Sequence, residues 1–381
     1  MERPFIPVAA PMLVGNERAY VLDCLDSTWI SSTGKYIERF ETAFAEFCGT
    51  KHAISCCNGT IALHLSLMAL GVAPGDEVIV PTLTFVSTAN AVTYCGARPV
   101  FVDSEPKTWN LDPALIEAKI TPRTKGIIVV HLYGHPADMN AVFAIARRNG
   151  LFVVEDAAQA HGGEYEGRRV GSMGDTGAFS FYGNKIITTG EGGMVVTNDD
   201  AVASKARQLK GYGMEPGRRY WYPIIGYNYR MTNLAAAIGV AQLEKVVWHL
   251  ERRREVASWY REFLGGSDNL TWQLTADSAT HVWWMFTILL DDGCPVDRDA
   301  IMAHLLERGI ETRPVGYPMH TLPPYLDPFR EDKFPVAERI AQGGINLPTW
   351  AGLTREDVRY VCDSLLKYLT QTTPLWYKNT S

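Results

Sequence analysis

The chain has 381 residues, 46% of them hydrophobic and 20% charged, and a formal net charge of -6. Those fractions suit a globular protein with a substantial core, and the length asks for two units rather than one. Lysine and arginine are spread along the chain, which excludes a nucleic-acid or anionic-membrane surface but leaves small phosphate ligands open.

The opening residues, MERPFIPVAAPM, lack the basic-then-apolar order of a signal peptide. No apolar run reaches the roughly 18 residues of a membrane span. Apolar positions at helical spacing over Lys35–Cys48 (Ile37, Phe40, Phe44, Phe47), closed by Gly49, predict a helix. His52–Cys56 reads as a short strand, and NGT at Asn58–Thr60 opens a core helix running through Leu70. Strand Glu77–Pro81, a helix through Ala89–Tyr94 and strand Arg98–Asp103 follow, then strand Gly126–His131, helix Ala137–Asn149 and strand Leu151–Glu155. Strand Gly192–Asn198 extends the series. Apolar strands alternating with helices are the signature of right-handed βαβ units and an α/β fold with a mostly parallel sheet.

After Met231 one long helical pattern runs to Leu264, with Glu251–Glu255 as a solvated face. The loop Gly265–Asn269 marks a boundary between a large α/β unit, 1–264, and a small α+β unit, 265–381. The small unit is expected to hold strand Trp283–Leu290 and helices Arg298–Arg308 and Arg355–Leu369, ending in a polar tail from Thr372 that frays. Seven cysteines without a CxxC pair suggest neither a disulfide framework nor a zinc site, so a reducing, cytoplasmic setting is expected. Cys56 and Cys57, close to a candidate ligand loop, read as small buried apolar residues.

The chemistry starts at SFYGNKIITTGEGGM, Ser180–Met194, where an aromatic-rich strand ends on a Gly-Asn turn and presents Lys185. Most lysines are solvated surface charges, but one held in an apolar, glycine-punctuated stretch loses basicity by desolvation and becomes a nucleophile. In LFVVEDAAQAHG, Leu151–Gly162, Glu155 and Asp156 stand at the carboxyl end of a strand, where open α/β sheets bind ligands. A pyridoxal-phosphate ring needs an anion at its pyridine nitrogen to remain an electron sink. Asp156 suits that place, with Gln159 on the same side for the ring hydroxyl; the plainer reading makes Asp156 the cap of a helix over Ala157–His161. Gly59 and Thr60 at a helix N-terminus suit a phosphate, and Ser180 adds a hydroxyl, although an NGT capping turn is common. Phe85, in PTLTFVSTANAV, begins a helix and either stacks on the ring or packs in the core. His161 either tunes protonation beside the site or is simply packed.

These motifs together resemble the DegT/DnrJ/EryC1/StrS sugar aminotransferases, within the aspartate-aminotransferase fold type I. The resemblance rests on NGT at 58–60, PTLTF at 81–85, EDAAQAHG at 155–162, SFYGNK at 180–185, GEGG at 190–193 and GYNYRM at 226–231, and covers nearly the whole chain. It implies a seven-stranded-type sheet and pyridoxal 5'-phosphate as cofactor. Lys185 takes the place of the lysine that carries the cofactor as a Schiff base, Asp156 of the pyridine-nitrogen partner and Gln159 of the ring-hydroxyl contact. Gly59, Thr60 and Ser180 resemble phosphate contacts. Asn228 resembles the asparagine that reaches the neighbouring subunit's cofactor, which implies a homodimer with shared active sites. A dehydrating branch of the family carries histidine in place of the lysine; Lys185 favours transamination.

Leu209–Glu244 and Ile310–Leu326 resemble the branch that forms GDP-perosamine from GDP-4-keto-6-deoxymannose and glutamate. On that resemblance Arg219, Tyr222, Arg313, Tyr317 and His320 are candidate substrate or donor contacts, arginines suiting carboxylates and diphosphates; a surface or interface charge is the plainer reading. Gly316 stands where that branch is expected to carry an aromatic, so a reshaped sugar pocket and another UDP- or dTDP-keto-sugar stay open. A pyridoxal-phosphate lyase is the competing enzyme class. A regulatory role would call for a missing lysine or an added DNA-binding unit, and a dinucleotide-binding module for a GxGxxG motif, none of which the sequence has.

Overall fold

The computed structural model describes residues 4–372, except residues 295 and 330 and the side chains of residues 371 and 372. The expected frayed tail beyond Thr372 lies outside the described residues. Runs of valine and isoleucine form strands buried on both faces: β1 (His52–Cys56), β2 (Glu77–Pro81), β3 (Arg98–Val102), β4 (Thr124–Val130) and β5 (Phe152–Asp156). A short hairpin, β6 (Glu164–Tyr165) and β7 (Arg168–Arg169), precedes β8 (Thr176–Ser180) and β9 (Gly193–Thr197). The seven long strands lie in the order β1-β9-β8-β5-β4-β2-β3. From β8 to β3 the neighbours run parallel, whereas β9 is antiparallel to both β8 and β1. This is the mostly parallel seven-stranded sheet expected of fold type I.

Helices cover both faces: α1 (Glu17–Asp26), α2 (Lys35–Cys48), α3 (Gly59–Ala69), α4 (Ser87–Tyr94), α5 (Met139–Asn149) and α6 (Asp200–Lys210). Their ends follow local chemistry. Gly49, with φ 73°, ends α2 in the left-handed region that a side chain disfavours, and the Asn58 side chain caps α3 by accepting from Ile61 N. The pattern after Met231 is two helices, not one: α7 (Asn233–Glu244) and α8 (Val246–Leu264). Lys245, with φ -110°, separates them, and its N–H closes a tight turn on Gln242 O. Packing explains the break. The buried face of α7 (Ala236, Ala237, Val240) joins Phe40 and Phe44 of α2, while the far half of α8 (Val256, Tyr260, Leu264) turns to a different core.

That second core surrounds an antiparallel sheet of β10 (Leu270–Trp272), β12 (Phe286–Leu290), β14 (Gly344–Leu347) and β13 (Arg313–Pro314), with β11 (Ala279–Thr280) pairing instead with β6. Strand β12 starts at Phe286, three residues later than the sequence pattern suggested. The helices α9 (Arg298–Glu307), α10 (Pro335–Gly343) and α11 (Arg355–Thr372) pack around it, and Ile6 near the N-terminus joins the same cluster. Among the described residues no helix is long and apolar enough to cross a membrane.

Candidate active site

The carboxyl ends of β4, β5 and β8 and the N-terminus of α3 meet at one cleft of about 650 Å³. It lies beyond the carboxyl ends of the parallel strands, where this class of sheet binds ligands. Because β9 returns antiparallel to β8, residues 181–192 form an excursion closed at its base. Phe181 N donates to Gly192 O at 2.8 Å and Thr189 N to Phe181 O at 2.9 Å. Lys185 sits on that excursion, its own N–H donating to Tyr182 O. Burial lowers its amine from 10.5 to about 8, against a smaller upward pull from Asp156.

Asp156 ends β5 and is 6% exposed. Its Oδ2 accepts from Thr88 Oγ1 at 2.8 Å and its Oδ1 from Ala158 N at 3.2 Å. Burial raises its pKa, and the bonds from Thr88 and Ala158 and the charge of Lys185 oppose that rise. The helix-cap alternative fails: residues 157–161 are turns, Ala157 N donating to Ala178 O across the sheet, so Asp156 caps no helix. The neighbouring Glu155 is also fully buried, but on the opposite face. It accepts from Gly171 N, Met173 N and Gly174 N and lies 3.0 Å from His131 Nε2. Gln159 lines the cleft with Oε1 taken by Tyr133 N at 2.7 Å, which leaves its remaining donors on the Nε2 side.

At the other edge, Gly59, Thr60, Ser87 and Ser180 line the cleft, with Thr60 Oγ1 and Ser87 Oγ 2.8 Å apart. A Cβ on Gly59 would stand 2.6 Å from Ser180 Cβ, so only glycine leaves this helix start open. Free N–H groups, hydroxyls and the positive helix end together favour an anion. Phe85 lines the cleft and is 68% exposed; it precedes α4 rather than beginning it. A half-buried amine, a carboxylate facing it and an anion seat fit pyridoxal phosphate in size and chemistry.

Other candidates scatter. Arg313 and Gly316 line the cleft. Arg219 and Tyr222 are exposed outside it, Arg219 lying over Tyr220, and Tyr317 is 74% exposed outside it. Asn228 is exposed, pairs with Gly211 and accepts from Arg230 Nε. His320 is not a cleft residue. It is buried, with Nδ1 2.7 Å from Thr82 Oγ1, Nε2 3.2 Å from Glu338 Oε1 and its ring on Phe334, so its polar atoms are spent tying the end of β2 to α10. His161 is buried among Phe44, Phe179 and Phe181, and burial holds its pKa down at about 3. Three residues went unnoticed in the sequence: Ser87 and Thr88, masked within an ordinary helix start, and Trp284, masked by the apolar strand that follows it.

Residues 11–366 match the sequence profile of the DegT/DnrJ/EryC1/StrS aminotransferase family. The chain belongs to that family. It is a pyridoxal-phosphate-dependent sugar aminotransferase of fold type I. Among its relatives, the GDP-perosamine synthase of Caulobacter vibrioides is 56% identical over 363 residues, 95% of this chain and 98% of that protein. The GDP-perosamine synthase of Escherichia coli O157:H7 is 48% identical over 366 residues, 96% of this chain and 98% of that protein. Among solved structures, S. venezuelae DesV in complex with a ketimine intermediate superposes with a TM-score of 0.90 at 37% identity, covering 96% of this chain and 99% of that one.

Proposed function

We propose that this aminotransferase moves an amino group from L-glutamate to the C4 keto group of GDP-4-keto-6-deoxymannose, forming GDP-perosamine. One observation carries the amine chemistry: a lysine amine held at reduced basicity in the same cleft as a buried aspartate and an open helix N-terminus. The near full-length likeness to GDP-perosamine synthases supports the sugar.

When bound, pyridoxal phosphate supplies the electron sink and carries the amino group between the two substrates. In this reading Lys185 anchors it and, once free, takes the proton from the donor's Cα and returns one to C4 of the sugar. Asp156 holds the pyridine nitrogen protonated, Gln159 donates to the ring hydroxyl and Phe85 covers the ring. Gly59, Thr60, Ser180 and the added Ser87 hold the phosphate. Glutamate leaves as 2-oxoglutarate, and the sugar carbonyl becomes the amine. Arg313 is the remaining cleft candidate for a substrate carboxylate or diphosphate. Asn228, Arg219, Tyr222 and Tyr317 lie outside the chain's own cleft, where they serve a site only across a homodimer of the cytoplasmic enzyme. The chain divides into 1–264 and 265–381, with the far half of α8 and Ile6 packed into the smaller part.

A second reading, amination of a UDP- or dTDP-linked keto-sugar, is favoured by Gly316: a Cβ there would meet nothing within 4 Å, so this part of the cleft is open. Incubation with glutamate and GDP-, UDP- and dTDP-linked keto-sugars, with products identified by mass and NMR, decides. Faster amination of a UDP- or dTDP-sugar rejects the first reading. Ammonia release without an amino acceptor would indicate a lyase.

A further inference from the structure

Trp284 has no assigned task, yet every polar group it owns is fixed. Its backbone N–H donates to Tyr133 O at 2.9 Å, and its carbonyl accepts from the buried Arg253 Nη1 at 2.8 Å. Its indole Nε1 donates at 2.8 Å to the carbonyl of Asn184, the residue before Lys185. The ring is stacked at 15° on Tyr133, whose own N–H is held by Gln159. Three hydrogen bonds and a stacked neighbour make this residue a rigid wall of the cleft, and its ring receives Lys185: Nζ stands over it, 4.1 Å from the centroid. Within 6 Å, an indole face attracts an ammonium through its quadrupole, more strongly where water is scarce.

We infer that Trp284 is a positioning residue for Lys185: its face is the seat of the lysine ammonium whenever the amine is not bonded to the cofactor. The inference rests on Lys185 being the cofactor lysine. A four-carbon side chain released into an open cleft has many rotamers, and each proton transfer needs its amine at one place. The seat narrows that choice, and the bond from Nε1 to Asn184 O fixes the loop from which the side chain springs. The charged amine rests on the ring between transfers, and the neutral amine, which the ring attracts weakly, is the form free to take the proton from the donor's Cα. The indole thus holds the charged amine at one place between transfers without adding a second charge to the cleft.

The test compares Trp284→Phe, which keeps an aromatic face but lacks the N–H, with Trp284→Leu, which lacks both. Competitive acetylation of the full-length protein, freed of cofactor with hydroxylamine and followed by mass spectrometry of the Lys185 peptide, gives the amine's titration directly. Borohydride reduction of the loaded protein first establishes that the cofactor is fixed to Lys185. Loss of the face should cut the ammonium-to-amine ratio roughly two- to thirtyfold in Trp284→Leu, with Trp284→Phe in between, and the acidic limb of the rate profile, where the amine becomes a base, should move to lower pH in the same order. Identical titration in all three proteins overturns the inference, as does an equal fall in Phe and Leu, which would assign the effect to the lost bond to Asn184. Failure of borohydride to mark Lys185 would instead overturn the reading of the lysine itself. Circular dichroism of each variant separates these outcomes from misfolding.

Discussion

Replacing Lys185 by methionine should stabilise the cofactor-free protein at neutral pH, and the gain should vanish in alkali. Burial takes the amine from 10.5 down to about 8 in the folded chain. Below pH 8 the lysine is charged both folded and unfolded, and folding carries the whole cost of the buried ammonium. Converted in full, the shift is worth about 3 kcal/mol. The amine opens onto the cleft, where water screens it, so roughly 2 kcal/mol is the expected difference. Between pH 8 and 10.5 the unfolded chain holds a proton that the folded chain has released, so the stability of the native protein climbs with pH. Above 10.5 the lysine is neutral in both states and the cost is gone. Methionine, of similar length and uncharged, never carries it. Urea unfolding of both proteins at pH 7 and pH 10.5 should show a gap that closes. Equal stability at pH 7, or a gap that persists at pH 10.5, refutes the argument that Lys185 is held against its solvation preference, which is the basis of its nucleophilicity.

Gly59→Ala, whose new Cβ would stand 2.6 Å from Ser180 Cβ, should weaken pyridoxal-phosphate binding tenfold or more in a fluorescence titration while circular dichroism stays native; unchanged affinity would move the phosphate elsewhere. Asp156→Asn should lower kcat on the order of a hundredfold or more, and undiminished turnover would remove Asp156 from the ring nitrogen. Glu155→Gln sets an amide among four donors in a sealed site and should cost roughly 3–5 kcal/mol in urea unfolding, with a change under about 1 kcal/mol contradicting the buried cradle. Gly316→Phe should raise KM for the nucleotide-sugar and leave the cofactor affinity as it was; an unaffected KM would place the sugar away from that wall.

The strands of the large sheet were legible because burial on both faces leaves an uninterrupted apolar run, and local punctuation marked Lys185, Asp156 and Gly59 as candidates, which the fold brings to one cleft. What escaped was settled by distant partners. The helical pattern from Met231 to Leu264 is continuous in sequence, and only the divergent packing of α7 and α8 breaks it at Lys245. Ala157–His161 has helix-forming residues, but Ala157 N is claimed by Ala178 O on the adjacent strand. His320 resembled a ligand-binding histidine until Thr82, 238 residues away, was found holding its ring. Trp284 looked like ordinary core beside Trp283, and nothing in the order of residues tells which of two adjacent indoles faces the lysine.

The adjacent carboxylates of β5 point to opposite faces of the sheet, as strand geometry requires. A slip of this strand by a single residue would set Asp156 where Glu155 now stands, against the turn at 171–174, and carry Glu155 to the other face at the place of Val154. The longer glutamate reaches three backbone N–H groups and a histidine there, and the shorter aspartate would leave some of these donors unmet. Glu155 therefore acts as an alignment gauge for β5: the chain can seal this side of the sheet only when the neighbouring aspartate already faces the cleft.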